Sequence, residues 1–183
     1  GLANKYYNQI VEIRREFHKF PELAFEEHAT AERIKDFLDL HQITYKDKVA
    51  KTGIVGIIQG RNPDKCVIAL RADMDALPIL ETNELPFKSL NEGKMHACGH
   101  DVHTSSLLGT AQILNSLKND FEGTIKLIFQ PGEEKKPGGA SLMIKDGALK
   151  NPSPTQIFGQ HVMPLVPVGK IGFREGMYMA SAD

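Results

Sequence analysis

The chain has 183 residues, 41% of them hydrophobic, and a formal net charge of -1 at pH 7. These values are typical of one soluble globular domain, and they give no electrostatic basis for binding nucleic acid or an anionic membrane. No apolar run approaches the roughly 18 residues of a membrane span, and the charged N-terminal residues are unlike a signal sequence, so we expect a cytoplasmic protein without membrane partners.

Two helices are predicted at the beginning of the chain. Residues 4–20 carry apolar side chains at helical spacing, and Pro21 ends this pattern. Residues 26–41 form the second predicted helix, with Glu26 and Glu27 in its first turn, where the helix dipole favours negative charge.

Short apolar runs after these helices predict strands. The first two, 54–58 and 66–70, are separated by residues 61–64, whose composition predicts a turn, so the strands are expected to be adjacent and could form a hairpin. Strands that alternate with helices indicate an α/β fold with a mixed, mostly parallel sheet flanked by helices, and a ligand site beyond the carboxyl ends of the strands. The later predicted elements are a helix at 104–117, a strand at 123–130, a short helix at 138–147, and strands at 157–160 and 169–174.

Residues 95–103 concentrate possible metal ligands, because they contain three of the seven histidines and Cys98, one of the two cysteines. Thiolate and imidazole are ligands that zinc-like ions prefer, and the predicted helix that follows would let several side chains converge. The alternative is a histidine-containing loop in which Cys98 is a small buried hydrophobic residue. Residue types and spacing leave both interpretations open.

Further candidate ligands follow the predicted strands. Asp73 and Asp75 come after the second strand, and carboxylates at the end of a buried strand are costly without a partner. Glu133 and Glu134 follow the third strand, and His161 follows the fourth. A site with one thiolate, two imidazoles and one carboxylate would suit one tetrahedral ion or an incomplete pair, and its ligands would be Cys98, His100, Glu134 and His161.

The two adjacent glutamates are expected to have different roles. Neighbouring residues at a strand end point in different directions, so Glu134 can bind metal while Glu133 acts as the general base on a water molecule. This arrangement describes metal-assisted hydrolysis, in which the ion lowers the pKa of water and polarises a carbonyl. The alternative for Glu133 is an exposed loop carboxylate.

Two other groups are not expected to bind metal or to form a disulfide framework. His18 lies between the two N-terminal helices without a nearby partner of ligand type, so we expect a structural role. Cys66 lies in an apolar run and Cys98 beside histidines, which gives little support for pairing between them.

Four motifs occur in a fixed order along the chain: RADMDALP at 71–78, HACGHDVHT at 96–104, QPGEE at 130–134 and GQHV at 159–162. Together with HKFPEL at 18–23, they resemble the metal-dependent N-acyl-amino-acid amidohydrolases. That family includes hippurate hydrolases, indole-acetyl-amino-acid hydrolases and N-acetyl-diaminopimelate deacetylases, and it is related to aminoacylases and to carboxypeptidases of the carboxypeptidase G type.

The resemblance implies a zinc-peptidase-like domain with a site for two divalent metal ions. Glu133 matches the general base, and Asp75 matches an aspartate that orients a ligand histidine. Asp73 is not assigned as a ligand because related peptidases have histidine there, and His103 matches the motif without an assigned role. Zinc suits the ligands, with manganese, cobalt or nickel as alternatives. The matching ligand positions are Cys98, His100, Glu134 and His161.

The resemblance also implies a longer protein. Residues 1–178 would be the N-terminal portion of the catalytic domain, and residues 179–183 would begin the connection to a lid domain. That lid, the rest of the catalytic domain and a final histidine ligand are absent from the 183 residues, which are expected to be inactive or nearly so alone. The complete protein is expected to be a homodimer that forms through the lid.

The resemblance gives the expected reaction but not its full specificity. The protein would remove an acyl group from a small N-acyl amino acid, and neither the acyl group nor the amino acid can be read from this chain. The alternatives are a dipeptidase or carboxypeptidase of the same fold, or a non-catalytic metal-binding or interaction domain.

Overall fold

The computed structural model describes residues 1–177, so the connection predicted at 179–183 lies outside the described residues. Its elements are α1 (Leu2–Lys19), α2 (His28–Leu40), β1 (Thr44–Val49), β2 (Gly53–Gln59), β3 (Val67–Asp73), α3 (His100–Ser116), β4 (Thr124–Gln130), α4 (Gly139–Lys145) and β5 (Gln156–Gly159). The strands form one sheet in the order β1-β2-β4-β3-β5. Strand β3 is parallel to β4 and β5, whereas β2 is antiparallel to β1 and β4. The predicted mixed α/β fold is confirmed.

Strand β4 lies at the centre of the sheet, and nearly all of its residues are buried. Leu127 and Phe129 are completely buried, and β4 pairs along both of its edges. The predicted adjacency of the strands at 54–58 and 66–70 is therefore wrong, since β4 lies between β2 and β3. The backbone N–H of Gly60, just after β2, donates a hydrogen bond to the carbonyl oxygen of Gly123, just before β4. This contact helps to place β4, and not β3, beside β2.

Two further strand predictions differ from the structure. Strand β1 was not predicted, because its sequence TYKDKV is mostly polar and only its exposure pattern alternates. Residues 169–174 were predicted as a strand, but they form no ladder among the described residues, and Ile171 and Phe173 are almost fully exposed. A short apolar alternation does not form a strand without a neighbour to accept its hydrogen bonds.

The helices cover both faces of the sheet. On one face, α1 lies against α3, and the side chain of Ile10 reaches within 3.0 Å of the point where a Cβ on Gly109 would stand. A glycine at this position lets the two helices approach closely. The opposite face is covered by α4, whose Met143 packs with Val55 and Ile128. None of the helices among residues 1–177 is both long enough and apolar enough to cross a membrane.

The N-terminus of α2 is capped by a residue outside the helix. The carboxylate of Glu22 accepts hydrogen bonds from the backbone N–H groups of Ala29 (3.1 Å) and Thr30 (2.7 Å). The helix begins at His28, so the predicted position of Glu26 and Glu27 in its first turn is wrong. Glu22 supplies the negative charge that the free N–H groups favour.

Glu27 is instead fully buried and connects three parts of the chain. Its carboxylate accepts hydrogen bonds from Thr52 Oγ1 at 2.5 Å and from the backbone N–H of Gly132 at 2.8 Å. Burial raises the pKa of Glu27, although these hydrogen bonds act in the opposite direction. The contact with Gly132 fixes the backbone immediately before Glu133.

A buried ionic cluster connects α1 to the beginning of α3. His18 Nδ1 lies 2.7 Å from Asp101 Oδ2, and His18 Nε2 lies 3.1 Å from Glu81 Oε1. Arg14 Nε also contacts Asp101, at 2.9 Å. The hydrogen bond to Asp101, helped by Glu81, raises the pKa of His18 in spite of its burial. His18 thus has structural contacts, but the expectation that it has no nearby partner of ligand type is wrong, because two carboxylates contact its ring.

We predict that His18 makes the stability of the fold depend on pH. Because its pKa is raised above 6.5 in the folded state, its protonation stabilises the fold fully below that pH, and the contribution is lost as pH rises through the folded pKa. The variant His18→Gln should reduce the free energy of unfolding by about 2 kcal/mol at low pH, and by less at alkaline pH. Urea unfolding over a pH series measures this difference.

The matched control is His28→Gln, because His28 is exposed at the beginning of α2. This control should leave the pH profile unchanged. A loss of stability in His18→Gln that is constant across the pH series would contradict the predicted role of the imidazolium.

Candidate metal centre

The predicted ligands meet at one edge of the sheet. The parallel strands β3, β4 and β5 end at Asp73, Gln130 and Gly159, so the segments that follow them leave from the same side. Helix α3 begins at this edge as well, next to the backbone of Asp75. The residues predicted as ligands therefore lie beyond the carboxyl ends of the parallel strands.

Helix α3 begins at His100, earlier than the predicted start at residue 104. Gly99 precedes it with a φ of 83°, a left-handed conformation that suits glycine. A Cβ at this position would lie 2.4 Å from Val162 Cγ2, so glycine also admits the segment after β5. The early start places His100 and His103 three residues apart on one face of the helix.

His100 is the central donor of the site. Its Nδ1 lies 2.8 Å from the backbone oxygen of Asp75, which can only accept, so Nδ1 carries the proton and donates this hydrogen bond. Asp75 Oδ1 lies farther away, at 3.3 Å. Among residues 1–177, the buried Nε2 atom has no hydrogen-bond partner. A buried lone pair without a partner is costly, and a metal ion would satisfy it.

The other proposed ligands surround this nitrogen. Glu134 Oε1 lies 3.8 Å from His100 Nε2, and Cys98 Sγ lies 3.4 Å from His161 Nε2. One donor atom each from Cys98, His100 and His161 lies within 4.8 Å of the others, and the same is true of His100, Glu133 and Glu134. His100 belongs to both of these groups and to a third, with Asp73 and His103. The structure thus brings the four predicted ligands and Glu133 together.

His161 presents the nitrogen that a metal would need. Its Nδ1 donates a hydrogen bond to the backbone oxygen of Val162 at 2.7 Å. The lone pair therefore remains on Nε2, which faces Cys98. Cys98 and Cys66 are both free thiols, so no disulfide removes the sulfur from this site.

Asp75 connects the two sides of the centre. Its Oδ2 accepts a hydrogen bond from the backbone N–H of Glu134 at 3.0 Å, while its backbone oxygen holds His100. One aspartate therefore fixes a histidine on α3 and a glutamate after β4. The orienting role predicted for Asp75 stays a prediction, because its backbone oxygen and not its carboxylate makes the hydrogen bond to His100.

The electric field of the cluster favours cations. Burial alone would lower the pKa of His100, but Asp75, Asp73 and Glu134 outweigh it and raise that pKa. Burial and the neighbouring Glu134 raise the pKa of the Cys98 thiol to about 12. Partial burial and the charge of Glu134 likewise raise the pKa of Glu133. The donor set and its negative field both fit divalent metal ions.

The sequence did not reveal the pairing of Asp73 with His103. Asp73 Oδ1 lies 2.6 Å from His103 Nδ1, and Asp73 Oδ2 accepts a hydrogen bond from Arg71 at 2.7 Å. Burial would raise the pKa of Asp73, but these partners lower it to about 2. Both oxygens of Asp73 have protein partners, and Asp73 Oδ2 also lies 3.6 Å from His100 Nε2. Asp73 and His103 are 30 residues apart in sequence, so no short pattern indicates that they are paired.

Known proteins share both the sequence and the fold. The chain is 46% identical to N-acetylcysteine deacetylase of Bacillus subtilis (strain 168) over 184 residues, which covers 100% of the chain and 47% of that relative. It is 44% identical to hippurate hydrolase of Campylobacter jejuni, with 96% of the chain and 45% of that relative covered. The chain therefore spans about half the length of these relatives.

The structure agrees with these matches. The crystal structure of the Bacillus subtilis YXEP protein, described as a dinuclear metal binding peptidase, superposes with a TM-score of 0.88 and 44% identity, over 94% of this chain and 48% of that one. Residues 69–179, more than half of the chain, match the model of a single family. The predicted resemblance is thus confirmed, and this chain belongs to peptidase family M20/M25/M40.

Proposed function

We propose that the protein containing this chain is a metal-dependent amidohydrolase that cleaves the amide bond of N-acyl amino acids. The observation that carries the proposal is the buried Nε2 of His100, which lies among thiol, imidazole and carboxylate donors and beside Glu133. The names of two relatives support the substrate class, because N-acetylcysteine and hippurate are both N-acyl amino acids. Their acyl groups differ, so the class is broader than one compound.

The proposed metal site holds two divalent ions in the complete protein. The description of the YXEP protein as dinuclear supports this number. Zinc suits the thiolate and imidazoles, and manganese, cobalt and nickel are alternatives for the same donors. When bound, the ions polarise the substrate carbonyl and lower the pKa of a water molecule. The residues proposed to hold them are Cys98, His100, Glu134 and His161.

Glu133 is the proposed general base. It is exposed to solvent and adjacent to Glu134, so it can meet a water molecule beside the metal ligands. In the proposed reaction its carboxylate takes a proton from the attacking water and returns it to the nitrogen of the leaving amine. The contact between Glu27 and Gly132 holds the backbone from which Glu133 projects.

Asp75 is proposed to act through its neighbours. Its backbone oxygen accepts a hydrogen bond from Nδ1 of His100, which leaves Nε2 as the only ring lone pair of that histidine. By accepting a hydrogen bond from the N–H of Glu134, Asp75 holds that carboxylate on the same side of the centre.

A cytoplasmic location and a homodimer stay predictions from the sequence.

Glu133→Gln should lower kcat/KM for an N-acyl amino acid by about 10²- to 10⁴-fold in the whole protein, because the amide cannot accept the proton. Metal content should remain that of the wild type. Glu134→Gln is the matched variant, since it changes the adjacent residue in the same way but should weaken metal retention. Full activity in Glu133→Gln would reject the general base and favour a non-catalytic binding domain.

The metal ligands can be tested without turnover. After exhaustive dialysis, the wild-type protein should retain transition metal by mass spectrometry, and His161→Ala and Cys98→Ser should each retain less. His41→Ala provides a control at a partly buried histidine beside Phe37, on the helical side of the fold. Equal metal in all four proteins would show that the ligands lie elsewhere.

The substrate class separates amidohydrolase from peptidase activity. The proposal predicts that the whole protein has a higher kcat/KM for N-acetyl or N-benzoyl amino acids than for dipeptides with the same C-terminal residue. Faster cleavage of the dipeptides would favour a dipeptidase or carboxypeptidase.

A further inference from the structure

The proposed function leaves His103 without a role, although the residue is buried beside the centre. His103 is 1% exposed, and its ring centroid lies 4.6 Å from that of His161 and 5.5 Å from that of His100. It therefore packs between two proposed ligand histidines. Each ring nitrogen of a buried histidine needs a hydrogen-bond partner, and the identity of the partners indicates the role of the residue.

The partners of His103 select one form of its ring. Asp73 Oδ1 accepts the hydrogen bond of Nδ1 at 2.6 Å, and the backbone N–H of Val162 donates to Nε2 at 2.9 Å. Only the neutral ring with the proton on Nδ1 satisfies both contacts. Arg71 holds the other oxygen of Asp73 at 2.7 Å, so the carboxylate cannot turn away from His103.

Val162 connects His103 to a proposed metal ligand. The N–H of Val162 donates a hydrogen bond to His103, and the carbonyl oxygen of Val162 accepts one from Nδ1 of His161 at 2.7 Å. His103 thus fixes the position of Val162, and Val162 sets the ring orientation of His161. Gly99 supports this placement, because any Cβ there would lie 2.4 Å from Val162 Cγ2.

We propose that His103 is a positioning residue. Held by Asp73, it fixes the backbone of Val162 and thereby aims Nε2 of His161 at the metal centre. His161 follows an edge strand and is itself exposed, so its segment needs such an anchor more than the buried His100 does. This inference rests on the proposed function only in taking His161 as a metal ligand.

The test is a double-mutant cycle on metal affinity, measured in the whole protein by competition for zinc with a coloured chelator. His103→Leu should weaken zinc binding about 10- to 100-fold, as is usual when a group that orients a ligand is removed. In the His161→Ala background, the same change should weaken binding less than about 2-fold, because its effect passes through His161. An equal loss in both backgrounds would mean that His103 acts through general stability, and would overturn the proposal.

Two matched variants complete the design. His103→Gln keeps an amide oxygen that can accept the Val162 N–H, so it should bind zinc more tightly than His103→Leu. His28→Leu changes an exposed histidine and should bind zinc as the wild type does. A Gln variant as weak as the Leu variant would count against the hydrogen bond to Val162.

A measurement on the metal-free protein gives an independent readout. Hydrogen exchange at the Val162 amide should be slow in the wild type and at least about 10-fold faster in His103→Leu, since an amide without its hydrogen bond loses protection. Unchanged exchange would overturn the proposal.

The outcomes also separate this inference from the proposed function. A coupled cycle in a protein that does not cleave N-acyl amino acids would support the positioning role and reject the activity. Cleavage by the wild type together with unchanged zinc affinity in His103→Leu would do the opposite. A wild-type protein that binds no zinc or other transition metal would reject both.

Discussion

The structure depends most on the way the imidazole of His100 is buried among carboxylates. His100 is 1% exposed and donates a hydrogen bond from Nδ1 to the backbone oxygen of Asp75, so its Nε2 faces a group of acidic side chains. Such a group would be unfavourable in a protein interior without compensation, because burying uncompensated negative charge is costly. A divalent cation is the partner that both the charge and the donor atoms favour.

The fold meets this constraint by bringing distant segments to one edge of the sheet. The parallel strands deliver Glu134 and His161, and the left-handed Gly99 starts α3 so that His100 enters from the other side. Asp75 and Glu27 then fix the backbone on either side of Glu133, by accepting hydrogen bonds from the N–H groups of Glu134 (3.0 Å) and Gly132 (2.8 Å). His100, Glu134 and His161 are thus each held by a hydrogen bond as well as by their places in the chain.

Local patterns were sufficient to predict the donors but not the contacts that hold them. Apolar runs in the sequence indicate buried strands, and the ends of these runs located Glu133, Glu134 and His161. The bond from Gly132 to Glu27 joins residues 105 apart in sequence, so no short pattern contains it. The position of β4 between β2 and β3 could not be predicted either, because strand order depends on tertiary pairing.

X-ray absorption at the zinc edge of the zinc-loaded whole protein would test the central claim most directly. The account predicts a sulfur neighbour at about 2.3 Å together with imidazole nitrogens at about 2.0 Å, and loss of the sulfur signal in Cys98→Ser. A spectrum with only oxygen and nitrogen neighbours in the wild type would contradict it. Cys98 would then lie beside the metal without binding it, and the centre would have to be assembled from other residues.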